Sequence, residues 1–214
     1  MEKFPAEQKI ASFLSNYRIF ALIQWLIIAL IIFATTWTWW HSYRPSLKVA
    51  PDIGALNISL NSHAGPIPLT NRDGKLKLLY FGYTHCVNAC PLTLHNWAAA
   101  FELLDEQERT RVQGIMISLD PARDTQSLLN EYTSYFHHQI AGATATPEQL
   151  EQLVTAFQIY YQTYNDATGN GYSIDHTANT YIIDDTGKLV KVIAYGGKGD
   201  KTRELVKTIR QALG

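Results

Sequence analysis

The chain contains very little sulfur. Its 214 residues include only two cysteines and two methionines. So few methionines exclude a methionine-rich metal-binding tract. The two cysteines, Cys86 and Cys90, nevertheless lie four positions apart, after an apolar run and directly before Pro91. Such close placement in a sulfur-poor chain indicates that the two thiols act together.

The chain also lacks an excess of charge of one sign. Lysine and arginine together number 18 and aspartate and glutamate 19, so the formal net charge is -1. This balance gives no support for a nucleic-acid-binding protein or for a strongly acidic tail. Nucleotide-binding motifs are missing too, since no GxGxxG follows a strand and no GxxxxGKS or GxxxxGKT loop occurs. With 46% hydrophobic residues, the chain is expected to hold one globular domain plus an additional element.

The additional element is an N-terminal segment without ionisable side chains, from Ile19 to Trp40. An α-helix of this length, rising ~1.5 Å per residue, would span about 33 Å and match the ~30 Å hydrocarbon core of a bilayer. Trp37, Trp39 and Trp40 lie at its far end, where aromatic rings favour the membrane interface. A cleavable signal peptide would have a shorter apolar core and a small-residue cleavage site. We therefore predict an uncleaved transmembrane helix rather than a buried core helix.

The charges on either side of this helix predict its orientation. Lys3, Lys9 and Arg18 precede it whereas Arg44 and Lys48 follow it, so the positive-inside bias favours a cytoplasmic N-terminus. Acidic residues before the helix argue against a mitochondrial transit peptide. We therefore expect a single-pass protein of a bacterial inner membrane, with a periplasmic C-terminal domain where disulfides are permitted. The predicted organisation is a cytoplasmic segment 1–18, a transmembrane helix 19–40, a linker 41–55 and a globular domain 56–214.

Strands and helices alternate in the globular part. Apolar patterns predict strands within 55–60, 65–75, 75–83, 111–119, 139–144, 179–184 and 188–195, and helices at 91–107, 124–136, 146–161 and 201–213. Asp124 is predicted to cap the second of these helices and Thr146 the third, which has Pro147 at its first position. This order is typical of a central mixed sheet with helices on its faces.

Pro91 places the two cysteines at the start of a helix. Because proline is tolerated only in the first helical turn, the helix is predicted to begin between Val87 and Pro91. Free N–H groups and the helix dipole favour the thiolate there. In a helical turn the two side chains share a face, with Cβ atoms about 5 to 6 Å apart. The pair is therefore suited to gripping a soft metal ion or, after a small adjustment, to forming a disulfide.

Two thiolates rarely complete a metal site, so a histidine ligand is expected as well. The candidates are His41, His63, His85, His95, His137, His138 and His176. The side chain of His85 is expected to diverge from that of its neighbour Cys86. His95 is interpreted as a surface or packing residue, and the pair at 137–138 as the cationic end of a helix.

His176 differs from the other histidines in its predicted position. It lies in a predicted loop immediately before a β-run, and α/β folds build their sites in loops at sheet ends. Asp175 beside it is a candidate to orient the imidazole ring. The residues alone thus make His176 a candidate ligand and leave the other histidines open.

Four segments in order resemble the Sco/SenC family of membrane-tethered, thioredoxin-like, copper-binding proteins associated with assembly of cytochrome c oxidase. The resemblance covers about residues 52 to 213 and rests on YFGYTHCVNACPLTL, ISLDPARDTQSLLNEY, GATATPEQLEQLVTAFQIYY and DHTANTYIIDDTGKLV. It implies a thioredoxin-like α/β domain. It also implies that Cys86, Cys90 and His176 bind copper as Cu(I), Cu(II) or both.

Some positions depart from the family pattern. Val87 and Asn88 replace a usual Pro-Asp between the cysteines, and the loss of an acid there is expected to lower the pKa values of the thiols. Gln126 replaces a proline often found after Asp-Thr, with an effect confined to the start of a helix. Asp120 and Asp124 keep the family pattern, and roles in a turn and a helix cap suffice for them.

The resemblance implies a metallochaperone that passes copper to the copper-bearing subunit of cytochrome c oxidase by exchange of thiolate ligands. Other periplasmic copper chaperones or thiol reductases are further expected partners. In the alternative, the protein is a thiol-disulfide oxidoreductase in which Cys86 and Cys90 reduce cysteines of the copper-receiving subunit. A structural zinc site with two cysteines, one histidine and water also fits the ligand set, although it does not fit the resemblance.

Overall fold

The protein is described by a computed structural model that covers residues 5–42, 53–165, 171–196 and 199–214. The chain divides into two compact units, Met1–Lys48 and Val49–Gly214. In the first unit, helix α1 (Pro5–Ser42) includes the stretch Ala21–Trp39, which is long and apolar enough to cross a membrane. No other helix in the described ranges meets this criterion. The side chains of 22–39 are exposed, whereas a core helix of a soluble protein would be mostly buried.

The first described element of the second unit is a 3-10 helix, Ile53–Leu56. Its strands are β1 (Ser59–Ser62), β2 (Gly65–Pro68), β3 (Leu76–Gly82), β4 (Val112–Ser118), β5 (Ile140–Thr144), β6 (Tyr161–Asn165), β7 (Tyr172–His176), β8 (Thr180–Ile183) and β9 (Leu189–Ile193). Its helices are α2 (Ala89–Leu103), α3 (Glu106–Thr110), α4 (Gln126–Phe136), α5 (Pro147–Ala156) and α6 (Lys201–Leu213).

The strands of this unit form two sheets. The larger one has the strand order β2-β1-β5-β4-β3-β8-β9, in which β3, β4 and β5 run parallel and the other neighbours antiparallel. Strands β6 and β7 form a separate antiparallel pair. Helices connect the parallel strands, as such crossovers require. The mixed sheet flanked by helices, together with one apolar N-terminal helix, confirms the predicted thioredoxin-like class.

The fully buried strand β3 lies between two hydrophobic cores. Because successive side chains of a strand point to opposite faces, Leu79 and Phe81 enter one core and Leu78 and Tyr80 the other. Helix α5 covers the first core, and helices α2 and α6 cover the second, where Trp97 is fully buried. Burial on both faces fixes the position of the strand end from which the cysteine loop leaves.

Several predicted boundaries require correction. The predicted helix 91–107 is two helices, because Asp105 and Glu108 form a capping box that starts α3. The predicted helix 146–161 begins with Thr146 as its cap, as expected, but ends at Ala156. The chain then turns through Gln158, whose φ is 53°, into strand β6. Pairing of β6 with β7 replaces the last helical turn, and this hairpin was absent from the prediction.

The predicted linker 41–55 is described only at its two ends. Residues 41–42 complete α1, and residues 43–52 lie outside the described part of the chain. Ile53 is 1% exposed and packs in the core that α5 covers. The domain boundaries at 18, 40 and 55 therefore remain predictions.

Candidate metal centre

Three chain segments meet at one edge of the larger sheet. Strands β3 and β4 are parallel and in register from Leu76 opposite Val112 to Gly82 opposite Ser118, so they end at the same edge. Strand β8 is antiparallel to β3 and starts there, with Thr180 opposite Tyr80. The cysteine loop after β3, the loop after β4 and the end of β7 before β8 are thus brought together. This is the edge where open α/β sheets place their ligands.

The cysteines occupy the start of α2, as the sequence predicted. The helix begins at Ala89, so Cys86 lies just before it and Cys90 in its first turn. The backbone N–H of Cys90 donates to Sγ of Cys86 over 3.4 Å. A Cβ at Gly82 would lie 2.8 Å from Sγ of Cys90, so only glycine at the end of β3 leaves room for this sulfur.

The two thiols differ in burial and in charge. Cys90 is buried in the core beneath α2, whereas Cys86 is partly exposed. The hydrogen bond with Cys90 lowers the pKa of the Cys86 thiol far below its usual range, aided by His176 and by backbone N–H groups. The same pairing with Cys86, together with burial, raises the pKa of Cys90. Cys86 is therefore the more acidic thiol of the metal-free pair.

His176 lies beside the cysteines although it is distant in sequence. Its Nε2 is 3.7 Å from Sγ of Cys90, and its Nδ1 is 3.2 Å from the carbonyl oxygen of Thr177. A carbonyl oxygen only accepts, so Nδ1 donates this hydrogen bond, and the bond holds the ring with Nε2 facing the sulfurs. The predicted loop position is wrong, because His176 ends strand β7. Asp175 is exposed and the Thr177 carbonyl, not that carboxylate, orients the ring.

The described residues contain one group of histidine, cysteine and acidic side chains with metal-ligand geometry, Cys86, Cys90 and His176. Their three ligand atoms all lie within 4.8 Å of one another. Two sulfurs and one imidazole nitrogen form a soft to intermediate donor set that suits copper or zinc. The donor set and its spacing therefore fit the predicted metal, while ligation by these residues remains a proposal.

The other candidate histidines lie elsewhere. His63, His85 and His95 are exposed, and Nδ1 of His85 is 3.1 Å from Oγ1 of Thr84. The side chain of His41 is outside the described residues. The interpretation of His137 as a helix-end cation is wrong, because its side chain is 5% exposed and burial lowers its pKa below the ordinary value of 6.5. It is neutral at pH 7.

Acidification is expected to destabilise the protein through His137. Its Nδ1 accepts from the N–H of Gln139, and its Nε2 lies 3.2 Å from Glu102 without hydrogen-bond alignment. Because the folded-state pKa is lowered, the unfolded state binds the proton more tightly. Stability is full above the unfolded pKa of 6.5 and falls as the pH drops toward the folded value.

Urea denaturation at about pH 8 and about pH 5 measures this effect. His137→Gln should reduce the difference in the free energy of unfolding between the two pH values. His95→Gln, on an exposed helix position, serves as the control and should leave the difference unchanged. An equal reduction in both variants would contradict the assignment to His137.

Asp124, which the sequence analysis interpreted as a helix cap, supports the cysteine loop instead. It is 1% exposed and accepts hydrogen bonds from the backbone N–H and hydroxyl of Thr84 and from the hydroxyl of Ser118. The cap of α4 is Thr125, whose side chain accepts from the N–H of Leu128. The segment 84–90 is therefore attached at its start to the loop after β4.

Asp120 also does more than close a turn. Its carbonyl oxygen accepts from the N–H groups of Arg123 and Asp124, as a turn residue would, but its buried carboxylate binds the side chains of Arg123 and Tyr172. The sequence held a signal for these roles. Asp120 and Asp124 follow shortly after the predicted strand 111–119, in a chain with 17% charged residues, and acids at such a strand end are expected near a site at the sheet edge.

The matching sequence family covers the whole of this site. The model of the SCO1/SenC family matches residues 59–214. Protein SCO2, mitochondrial, of Saccharomyces cerevisiae is 36% identical over 129 residues, which are 60% of this chain and 43% of that protein. Protein SenC of Rhodobacter capsulatus is 38% identical over 118 residues, which are 54% of this chain and 52% of that protein. The alignments with these relatives thus span about half of their length.

A solved structure shares the fold. The crystal structure of Arabidopsis thaliana ScoI with copper bound matches with a TM-score of 0.63 and 32% sequence identity, covering 72% of this chain and 96% of that chain. The family match includes both cysteines, His176 and the loop after β4. Since it extends over well more than half of the sequence, the chain belongs to the SCO1/SenC family.

Proposed function

We propose that this protein is a membrane-anchored metallochaperone that binds copper and acts in the assembly of cytochrome c oxidase. The observation that carries the proposal is the convergence of Cys86, Cys90 and His176, with ligand atoms within 4.8 Å of one another. Two thiolates suit Cu(I), and the imidazole extends the set to Cu(II). Copper in the related ScoI structure of A. thaliana favours copper over zinc as the cargo.

The unequal burial of the ligands suits release of the metal to another protein. Cys86 is partly exposed and its neighbour Val87 is 95% exposed, whereas Cys90 is buried. An incoming thiolate can therefore approach a metal ion from the Cys86 side while Cys90 still holds it. The receiving partner in our proposal is the copper-bearing subunit of cytochrome c oxidase, in keeping with the role of the family. Transfer is an exchange of ligands and needs no net redox change.

The proposed location is supported by the apolar helix and its flanking charges. The stretch Ala21–Trp39 is long enough to span a bilayer. In its immediate flanks, three basic residues precede it (Lys3, Lys9 and Arg18) and two follow it (Arg44 and Lys48). In our proposal the N-terminus is cytoplasmic and the metal-binding unit lies in the periplasm of a bacterium, anchored to the inner membrane. This placement positions the site on the side of the membrane where thiols need protection from oxidation.

A second candidate function rests on the asymmetry of the thiols. The Cys86 thiol is partly exposed and its pKa is lowered, whereas Cys90 is buried and its pKa is raised. Cys86 would attack a partner disulfide and release one partner thiolate, which takes a proton. Cys90 would then lose its proton and attack the mixed disulfide, releasing the second partner thiol. Two electrons pass to the partner, which is reduced, and Cys86 and Cys90 end as a disulfide.

Copper titration of the reduced, detergent-solubilised full chain under anaerobic conditions tests the main proposal. We expect one equivalent to bind, with a sulfur-to-Cu(II) charge-transfer band in the absorption spectrum. Zinc added in competition should displace little copper, since divalent copper binds N and S donors more tightly than zinc. Oxidation of both thiols without retention of the metal would overturn the chaperone proposal in favour of the reductase.

The variant His176→Ala separates the two functions. The chaperone site is expected to lose about tenfold or more in Cu(II) affinity, with a shifted charge-transfer band, because one of three ligands is gone. Disulfide reduction by the metal-free protein needs only the thiols, so it should survive this substitution if the reductase account is correct. His95→Ala is the matched control for removing a histidine. An unchanged Cu(II) affinity in His176→Ala would remove this residue from the site.

A further inference from the structure

The strand that carries His176 lies outside the larger sheet. Within the described part of the chain, strand β7 pairs only with β6, and every residue of β6 is exposed. Cys86 and Cys90, in contrast, lie on a loop and helix that leave the fully buried strand β3. A two-stranded hairpin is marginally stable by itself. The distance between His176 and the cysteines therefore depends on what fastens β7 to the rest of the unit.

Arg123 attaches the start of β7 to the loop after β4. Its Nη1 donates to the carbonyl oxygen of Tyr172 over 2.8 Å, and its guanidinium carbon lies 3.6 Å from the centre of the Tyr172 ring. The Arg123 side chain thus binds the backbone of Tyr172 and also packs on the face of its ring. Cation–π contacts of this kind add to the hydrogen bond. Arg123 is 49 positions away from Tyr172 in sequence.

Asp120 holds both members of this contact. One carboxylate oxygen accepts from Nε of Arg123 and the other from the hydroxyl of Tyr172. The carboxylate is 3% exposed, so it is shielded from water and the charged hydrogen bonds are correspondingly strong. Asp120, Arg123 and Tyr172 therefore form a closed ring of contacts, which we call the β7 clamp.

Tyr83 provides a further contact between β7 and the cysteine loop. Its hydroxyl accepts from the N–H of Ile174 over 3.2 Å, and its ring lies edge-on to the His176 ring at 5.9 Å. The Arg123 guanidinium carbon is 5.8 Å from the centre of the same Tyr83 ring. The clamp and His176 thus both lie against the Tyr83 ring. A displacement of Arg123 would therefore affect the position of His176 by two routes, through strand β7 and through Tyr83.

We propose that Arg123, held by Asp120, is a positioning residue that presets His176 over the two cysteines before a metal ion arrives. This inference rests on the proposed function only in taking His176 as a copper ligand. In this inference the loop after β4 holds both parts of the site in place. Asp124 fastens the cysteine loop, while Arg123 fastens the histidine strand. A preset ligand removes the cost of ordering the hairpin when the metal binds.

Two readouts on the full chain in detergent test the inference with the variant Arg123→Met. In the metal-free protein, hydrogen exchange of peptides covering β7 should accelerate about tenfold, while peptides covering β3 and β4 stay unchanged. In a copper titration, the variant should lose about tenfold in Cu(II) affinity, as is common when a group that orients a ligand is removed. Arg203→Met, on a side chain that is 85% exposed, is the matched control and should change neither result.

A double-mutant cycle with His176→Ala identifies the route of the effect. If Arg123 acts by placing His176, Arg123→Met should cost less than about twofold in affinity when His176 is already alanine. An equal loss in both backgrounds, or unchanged exchange of β7, would overturn the inference. If the unsubstituted protein bound no copper, the proposed function would fail, and the exchange of β7 in the metal-free variant would still decide whether Arg123 holds the strand.

Discussion

Replacing Cys86 by serine is expected to reduce copper affinity at least about 100-fold and to abolish the sulfur-to-Cu(II) band. A structural zinc site of four ligands binds Zn²⁺ with a free energy of about 10 to 16 kcal/mol. By this measure one thiolate ligand accounts for roughly 3 kcal/mol. Serine keeps the size of the side chain but remains protonated and is a poor ligand for a soft ion. Cys86 is the better target of the two cysteines because it is partly exposed, so folding should be unaffected. Anaerobic copper titration gives the affinity, and the absorption spectrum follows the band.

The neighbouring variant Val87→Ser is the matched control for this experiment. Val87 is 95% exposed and lies on the same loop, so the substitution changes loop polarity without removing a ligand. Its affinity and spectrum should match those of the unsubstituted protein. If Cys86→Ser retained one equivalent of copper with the same absorption band, Cys86 would not be a ligand. The proposed site would then have to be abandoned.

Replacing Asp124 by alanine is expected to lower the free energy of unfolding by about 3 kcal/mol. The substitution leaves the N–H and hydroxyl of Thr84 and the hydroxyl of Ser118 without their acceptor. Each buried polar group left unpaired costs about 1 to 3 kcal/mol, although the hydroxyls can rotate toward other acceptors. Urea denaturation of the metal-free protein, followed by circular dichroism, measures the loss.

The size of the loss distinguishes this role from that of a helix cap. Removal of a cap typically costs about 1 kcal/mol, which is the effect expected for Thr125→Ala at the true cap of α4. Asp175→Ala, at an exposed position beside His176, should change stability very little. A loss for Asp124→Ala no larger than that for Thr125→Ala would refute the supporting role of Asp124. The copper affinity of Asp124→Ala should also fall, because the cysteine loop is attached through Thr84.

The start of α2 could be predicted because its causes are local. Pro91 restricts the helix start to a few positions, and the helix begins at Ala89 as expected. The apolar run before the cysteines likewise forms the fully buried strand β3. The start of helix α5 was also predicted correctly, with Thr146 as its cap and Pro147 as its first residue. Its end was wrong, because the pairing of β6 with a strand further along the chain competes with the helical pattern.

The histidine ligand was only partly predictable. Its place before a β-run made His176 a candidate, and the family resemblance singled it out. The group that orients the His176 ring could not be predicted from its neighbour Asp175, because successive side chains of a strand point to opposite faces. The Thr177 carbonyl takes that role instead. The burial of His137 could not be predicted from the sequence either. The preference for cations at helix ends does not indicate that its ring packs against Phe101.

Local residue patterns were enough to identify the chemistry that is available: two thiols at a helix start, an apolar segment of membrane-spanning length and an alternating α/β pattern. These properties depend on residues within a few positions of one another. Which polar groups work together could be seen only in the folded chain, because those contacts join Thr84 to Asp124 over 40 positions and Cys90 to His176 over 86. The two acids that local pattern assigned to a turn and a cap became supports of the site because the parallel strands β3 and β4 end side by side.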